Sequence, residues 1–278
     1  MKQSYFGNYY HLLVSEAGLI EWMLYTGLTL TRNSNEAPTG KTCAGFYNLS
    51  IGIERLCKLI VIIDYMANND LTPPPKSTIK SYSHDITKLI SQIIINCPLV
   101  PSNKIEICYN HKVTHKLISL LSEFGSTTRY QNINEFSSND KTTDPLIKWQ
   151  AILEEIYKEE IPERIKNDIE DEGSFYYNLV SENASFLHFD LNRKIIPPHK
   201  IFTHAKIQEK AIARATRYLV HFLLNLREAL IDIGNEAQNI NTSECHNTMT
   251  IPCFGDFFRG LLISSEHQLL TKKKWQNF

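Results

Sequence analysis

The sequence contains no glycine-rich phosphate loop, no GxSxG elbow and no HExxH pair. The commoner nucleotide-binding and hydrolase frameworks therefore lack their signatures. It also has no surplus of charge: 29 Lys and Arg stand against 30 Asp and Glu, a formal net of −1. A nucleic-acid partner would need a local basic patch. The most apolar windows, near Leu12–Leu30 and Leu56–Met66, are short or broken by Glu16, Glu21 and Asp64, which argues against a membrane span. The opening MKQSYFGNYYHLL has no signal-peptide anatomy. A soluble cytoplasmic protein is the expectation, with the sequons at Asn48, Asn183 and Asn241 accidental. Six cysteines lie scattered, several inside apolar periodic segments, which suits reduced core thiols better than a disulfide frame.

What is present is helical periodicity. The 278 residues are 42% hydrophobic and 21% charged, ordinary for a globular chain with a sizeable core. HLLVSEAGLIEWMLYTGLTL gives a first helix, and about Cys43 to Met66 a second, with Phe46, Leu49, Ile53, Leu56, Ile60 and Ile63 on one side. SHDITKLISQIIIN opens at Ser83 as a candidate N-cap. NHKVTHKLISLLSEFG opens at Asn110 and stops at Gly125. In DPLIKWQAILEEIY, Asp144 caps and Pro145 takes the first helical position, and Pro162 kinks or ends the helix. A less regular stretch follows, through Phe175–Asp190 and the Pro197–Pro198 pair. A long helix is then expected from about Ala205 to Gly234, and a terminal one over about 255–271. Alternating strands are absent, so the fold class is all-α.

Two charged blocks face each other in sequence. Glu154 to Glu172 holds nine acidic residues against three basic ones; Arg193 to Arg217 holds seven basic residues against Glu209 alone. Mutual pairing or solvation accounts for both, and the sharper reading is a basic strip for phosphates. Cys108, His111 and His115, with Cys97, have spacing compatible with metal ligands. They lack the paired, turn-positioned arrangement of zinc sites, so no metal is assigned. Glu54 and Lys58, four apart, are oriented for a helical ion pair.

RATRYLVH places Arg214 and His221 seven apart, nearly two turns. On a wheel Arg214, Arg217, His221 and Glu228 fall opposite the apolar stripe of Ile207, Ala211, Ala215, Leu219, Leu226 and Ile233. An imidazole can move a ribose 2′-hydroxyl proton, and a guanidinium can offset charge on a phosphate. The spacing alone is weak, since roughly one chance match is expected in a chain of this composition. Arg193 and His199 also fit it.

GFYNLSIGIERLCKLIVIIDYMANND followed by SHDITKLI resembles the HEPN superfamily (higher-eukaryote and prokaryote nucleotide-binding domains). Glu54 and Lys58 match its A-x-E-x-x-x-K-A-L-L helix, and His84, Asp85 and Leu89 its H-D-L-x-x-L start. STTRYQN resembles the R-Y-P-D stretch of nucleotidyltransferase-associated members, with Arg129 and Tyr130 in place, and AIARATRYLVHFLLNL resembles the closing helix. The resemblance implies a HEPN-like antiparallel helical bundle, core about 5–130 and 205–235, with a helical insertion at about 131–204. It further implies a homodimer and, in many members, a metal-independent endoribonuclease of toxin–antitoxin or antiphage systems, with no cofactor. Catalysis would fall to Arg214 and His221, with Arg217 and Arg129 on the RNA backbone. Ala215 follows Arg214 where active members commonly carry a polar residue, and no histidine lies four to six residues beyond Arg129. These departures motivate the alternative, a non-catalytic module binding a nucleotide or a partner protein (an antitoxin or a nucleotidyltransferase) through Glu54, Lys58 and Arg129.

Overall fold

The computed structural model describes residues 6–7, 9–36, 38–130, 144–181, 187–190, 194–243, 249–263 and 265–275. Helices dominate: α1 (Tyr10–Arg32), α2 (Pro38–Ala67), α3 (Lys76–Lys80), α4 (Ile86–Asn96), α5 (Ser102–Asn110), α6 (Lys112–Ser126), α7 (Pro145–Glu160), α8 (Glu163–Val180), α9 (Ile201–Ser243) and α10 (Glu266–Thr271). The described residues hold one two-stranded antiparallel ribbon, β1 (His188–Phe189) with β2 (Ile195–Ile196). No described helix is long and apolar enough to cross a membrane. The all-α expectation holds at the level of class.

Helices α1 and α2 pack most extensively, and small residues set how closely. A Cβ on Gly27 would lie 2.9 Å from the Leu49 backbone nitrogen, and one on Gly45 would lie 3.0 Å from that of Thr31. Any side chain at either position would force the two backbones apart. Helix α9 lies against α1, α2, α5, α6, α7 and α8, with Ala211, Ala215, Leu219, Leu226 and Ile233 all buried. The stretch expected as an insertion contributes α7, whose Trp149, Leu153 and Ile156 join the same core. Trp149 meets Phe46 edge-on, centroids 5.3 Å apart, a geometry that aligns the positive ring edge with the negative face.

Several boundaries differ from expectation, each for a physical reason. Asp85, not Ser83, caps α4: its carboxylate accepts from the Lys88 N–H at 3.1 Å, while Ser83 sits at φ 47° in the left-handed region. The run before Asn110 is itself helix (α5), and His111, without a side-chain cap bond, begins α6. Pro162 starts a new helix, α8, where irregular chain was expected. Residues 255–271 are not one helix but two 3₁₀ turns (Phe254–Asp256 and Arg259–Leu261) and the short α10. Phe258 at φ 60° breaks the run, and its side chain is fully buried. Asp144 and Pro145 begin α7 as the cap pattern indicates.

Residues 251–263 and 265–275 form a strap over α1 and α9. Arg227 donates to the carbonyls of Phe257 (3.1 Å) and Gly255 (3.0 Å), and the Phe258 N–H donates to buried Glu21 at 2.6 Å. Tyr25 donates to the same carboxylate at 3.0 Å and accepts from the Gly260 N–H at 2.6 Å. Burial, then the Glu21 charge, pushes the Tyr25 hydroxyl far above its ordinary range. It therefore stays a donor.

Candidate functional site

The middle of α9 carries the charged stripe, and the structure gives its members partners that the sequence does not disclose. The Arg217 guanidinium reaches Glu160 at the end of α7 (3.3 Å) and Glu266 at the start of α10 (3.7 Å). His221 Nε2 donates to the same Glu266 carboxylate at 2.9 Å. Tyr218 donates to Glu160 at 2.9 Å, lies under the Arg217 guanidinium at 4.6 Å and stacks on His111, centroids 4.7 Å apart. Burial, and then Glu160, raise the Tyr218 hydroxyl's pKa, so the phenol stays protonated.

Arg214 turns its guanidinium back to the Lys210 carbonyl at 3.3 Å. Burial and then the like charge of Arg217 lower its pKa, yet an arginine keeps its proton at any physiological pH. One turn apart, the two guanidiniums concentrate positive charge that Glu160 and Glu266 balance. Arg217 and His221 are thus joined through a shared anion, while Arg214 stands beside Arg217 with its guanidinium on the Lys210 carbonyl. The two charged blocks pair in part, through Arg217–Glu160 and Lys206–Glu172 (3.1 Å). Other acidic residues of α7 turn to α6: Glu155 pairs with Lys112 and Lys116, and Glu159 with Lys112.

The other residues singled out from sequence assemble elsewhere. Lys58 donates to Glu54 at 2.6 Å and to the Ser83 carbonyl at 2.7 Å, and His84 Nδ1 donates to Glu54 at 3.1 Å. This cluster ties α2 to the entry of α4, so both charges of the helical pair are engaged within the fold. Asp85 adds a third tie, accepting from Ser122 of α6 at 3.1 Å. Arg129 lies in the 3₁₀ turn Thr128–Tyr130 after α6. His111, against the stripe, begins the same helix. At 1.5 Å per residue α6 separates the two by about 22 Å. Tyr130's side chain and Arg193 lie outside the described residues.

The cysteine–histidine reading gains no partner set. The Cys97 thiol faces Asp64, and burial with that charge pushes it up to about 12. Cys108 bonds with Asn225 and Thr114. Among the described residues no group of three or more His, Cys, Asp or Glu is placed to hold a metal ion.

A second place of interest was not read from sequence: a cavity of about 160 Å³ between the N-terminal part of α9, Trp149 of α7 and the β1–β2 ribbon. Its wall combines residues from five separate stretches, so no local spacing announces it. His204, the nearest thing to a signal, is one of ten histidines.

No family model, no curated protein and no solved structure matches the chain.

Proposed function

We propose that the Arg214–His221 face of α9 binds the phosphodiester backbone of RNA and cleaves it without a metal. The observation that supports this reading is the Glu266 carboxylate, an anion gripped by His221 at 2.9 Å and by Arg217 at 3.7 Å. A phosphate offers the same pair the same charge and more acceptor oxygens. Glu266 sits on a six-residue surface helix with its side chain 60% exposed, so it is a displaceable occupant.

In the reaction, His221 takes the proton of a ribose 2′-hydroxyl. The 2′-oxygen bonds to phosphorus and the bond from phosphorus to the 5′-oxygen breaks. This leaves a 2′,3′-cyclic phosphate and a 5′-hydroxyl, whose proton comes from the imidazolium of a second copy's histidine. Arg217 and Arg214 offset the charge that builds on the phosphate oxygens. In this reading the protein is a HEPN-like homodimer, its two α9 faces meeting around the RNA, in a toxin–antitoxin or antiphage setting.

Labelled generic RNA, incubated with purified protein in excess EDTA, tests the reading. Cleavage is expected to persist, and His221→Ala is expected to lower it by about 10²- to 10⁴-fold, the range for a general acid–base group. Glu266→Gln is expected to tighten RNA binding by removing the competing charge. Equal cleavage by wild type and His221→Ala overturns the assignment.

A further inference from the structure

The cavity beside α9 is a site of a different kind. Its wall includes Thr42 of α2, Trp149 of α7, Phe189 and Asp190 of the ribbon, and His204 and Gln208 of α9. Thr42 is 1% exposed, and its Oγ1 has no hydrogen-bond partner. A buried hydroxyl without a partner costs roughly 1–3 kcal/mol, and a ligand atom in the cavity would remove that cost. Gln208 is also buried. Its amide nitrogen donates to Gln150 at 2.8 Å, and Gln150 donates onward to Glu154 at 2.9 Å. That chain fixes the Gln208 side chain and leaves its carbonyl oxygen as an acceptor. The apolar part of the wall sets two aromatic rings, the buried Trp149 indole and the exposed Phe189 ring, beside the aliphatic Ile196, Ile201 and Ile212.

Charge decides the ligand class. Among the described residues no Lys or Arg lines this cavity, while Asp190 does. A phosphate or carboxylate would enter without a counter-charge and would meet Asp190. A cation fares little better. Burial depresses the His204 pKa although Asp190 and Glu154 both act to raise it, with His188 adding to the depression. Loss of solvation thus outweighs attraction at this wall. Size sets the rest: about 160 Å³ is close to the roughly 150 Å³ engineered cavity that accommodates a benzene ring.

We propose that this cavity is a binding site for a neutral, single-ring nitrogen heterocycle, held between Trp149 and Phe189 and hydrogen-bonded at its edge by Thr42 and Gln208. The site is independent of the charged face of α9. A neutral ring with both donors and acceptors can use three wall groups at once: the unpartnered Thr42 hydroxyl gives and accepts, Gln208 accepts, and neutral His204 offers one of each.

Saturation-transfer NMR and thermal shift on the full chain test it, with uracil, cytosine and nicotinamide as probes. Uridine 5′-phosphate and benzamidine are the charged controls. At least one neutral ring is expected to bind, and more tightly than either control. Thr42→Val keeps the side-chain shape and drops the unpartnered hydroxyl. It is expected to leave the free protein at least as stable and to weaken the ring's Kd about five- to tenfold, one buried hydrogen bond. Ala205 lines both this cavity and a neighbouring one of about 330 Å³ and is itself exposed. Ala205→Phe is expected to block entry with the fold intact. No transfer to any of the three rings overturns the proposal. So does tighter binding of benzamidine or uridine 5′-phosphate, or undiminished ring binding by Ala205→Phe.

Discussion

Two stretches of α9 carry the same residue type in opposite surroundings. His204 lies against a half-enclosed wall where burial outweighs two nearby carboxylates. His221, seventeen residues on along the same helix, bonds directly to Glu266 and has Arg217 on the other oxygen of that carboxylate. Neither setting is a property of the helix. The first is made by the ribbon and Trp149, the second by the strap that delivers α10. A long helix acts here as a rail, and the elements laid over it decide whether an imidazole meets an apolar wall or an anion.

The largest break in that comparison is expected from Trp149→Ala. It removes a fully buried indole that both lines the cavity and meets Phe46, and about 3–5 kcal/mol should be lost in urea unfolding. RNA binding by the surviving folded protein should stay at the wild-type value while ring binding disappears. Loss of both in folded protein would show that the two stretches are coupled.

Arg227→Ala strikes the other side. Buried Arg227 donates to two strap carbonyls, and leaving them without a donor should cost about 2–3 kcal/mol. The strap carries Glu266, so protease sensitivity between residues 255 and 271 should rise together with RNA affinity. Unchanged proteolysis there would mean that Phe254, Phe258 and Trp275 hold the strap without the arginine.

The smallest effect is a pH slope. His204's folded pKa lies below the ordinary 6.5, so the unfolded chain binds more protons between those two values. Its contribution to stability is complete above about 6.5 and is lost as pH falls through that window. His204→Gln should flatten the change in urea midpoint between pH 7.5 and 5.5 relative to wild type. An equally steep change in the variant would assign the slope to other groups.

The helices were legible where periodicity and caps agree. Asp144–Pro145 marks the start of α7, and the buried stripe from Ala211 to Ile233 is the one on the wheel. The ends of α9 were not: it runs from Ile201 to Ser243, beyond the apolar stripe. The charged face was half legible. Arg214, Arg217 and His221 share a helix, so their spacing shows their alignment. Glu160 and Glu266 come from helices 57 and 45 residues away, and only tertiary packing brings them in. Ser83 misled because it and Asp85 are both good caps, and the choice between them rests on Ser122 of another helix. The cavity was invisible for the same reason, its polar groups coming from stretches far apart in the chain, around Thr42, Asp190 and His204.

The strap has a consequence for how the chain matures. The Trp275 N–H donates to the Thr29 hydroxyl at 2.9 Å across 246 residues of sequence, and Phe258 closes on Glu21 across 237. Synthesis at about 5–20 residues per second leaves the matching face of α1 waiting roughly 12 to 50 s for its cover. Closure over such separations is slow, because loop entropy is lost before the contacts form. The Glu266 carboxylate follows His221 by only 45 residues, so the charged face of α9 waits roughly 2 to 9 s of synthesis for its anion, far less than α1 waits for its cover.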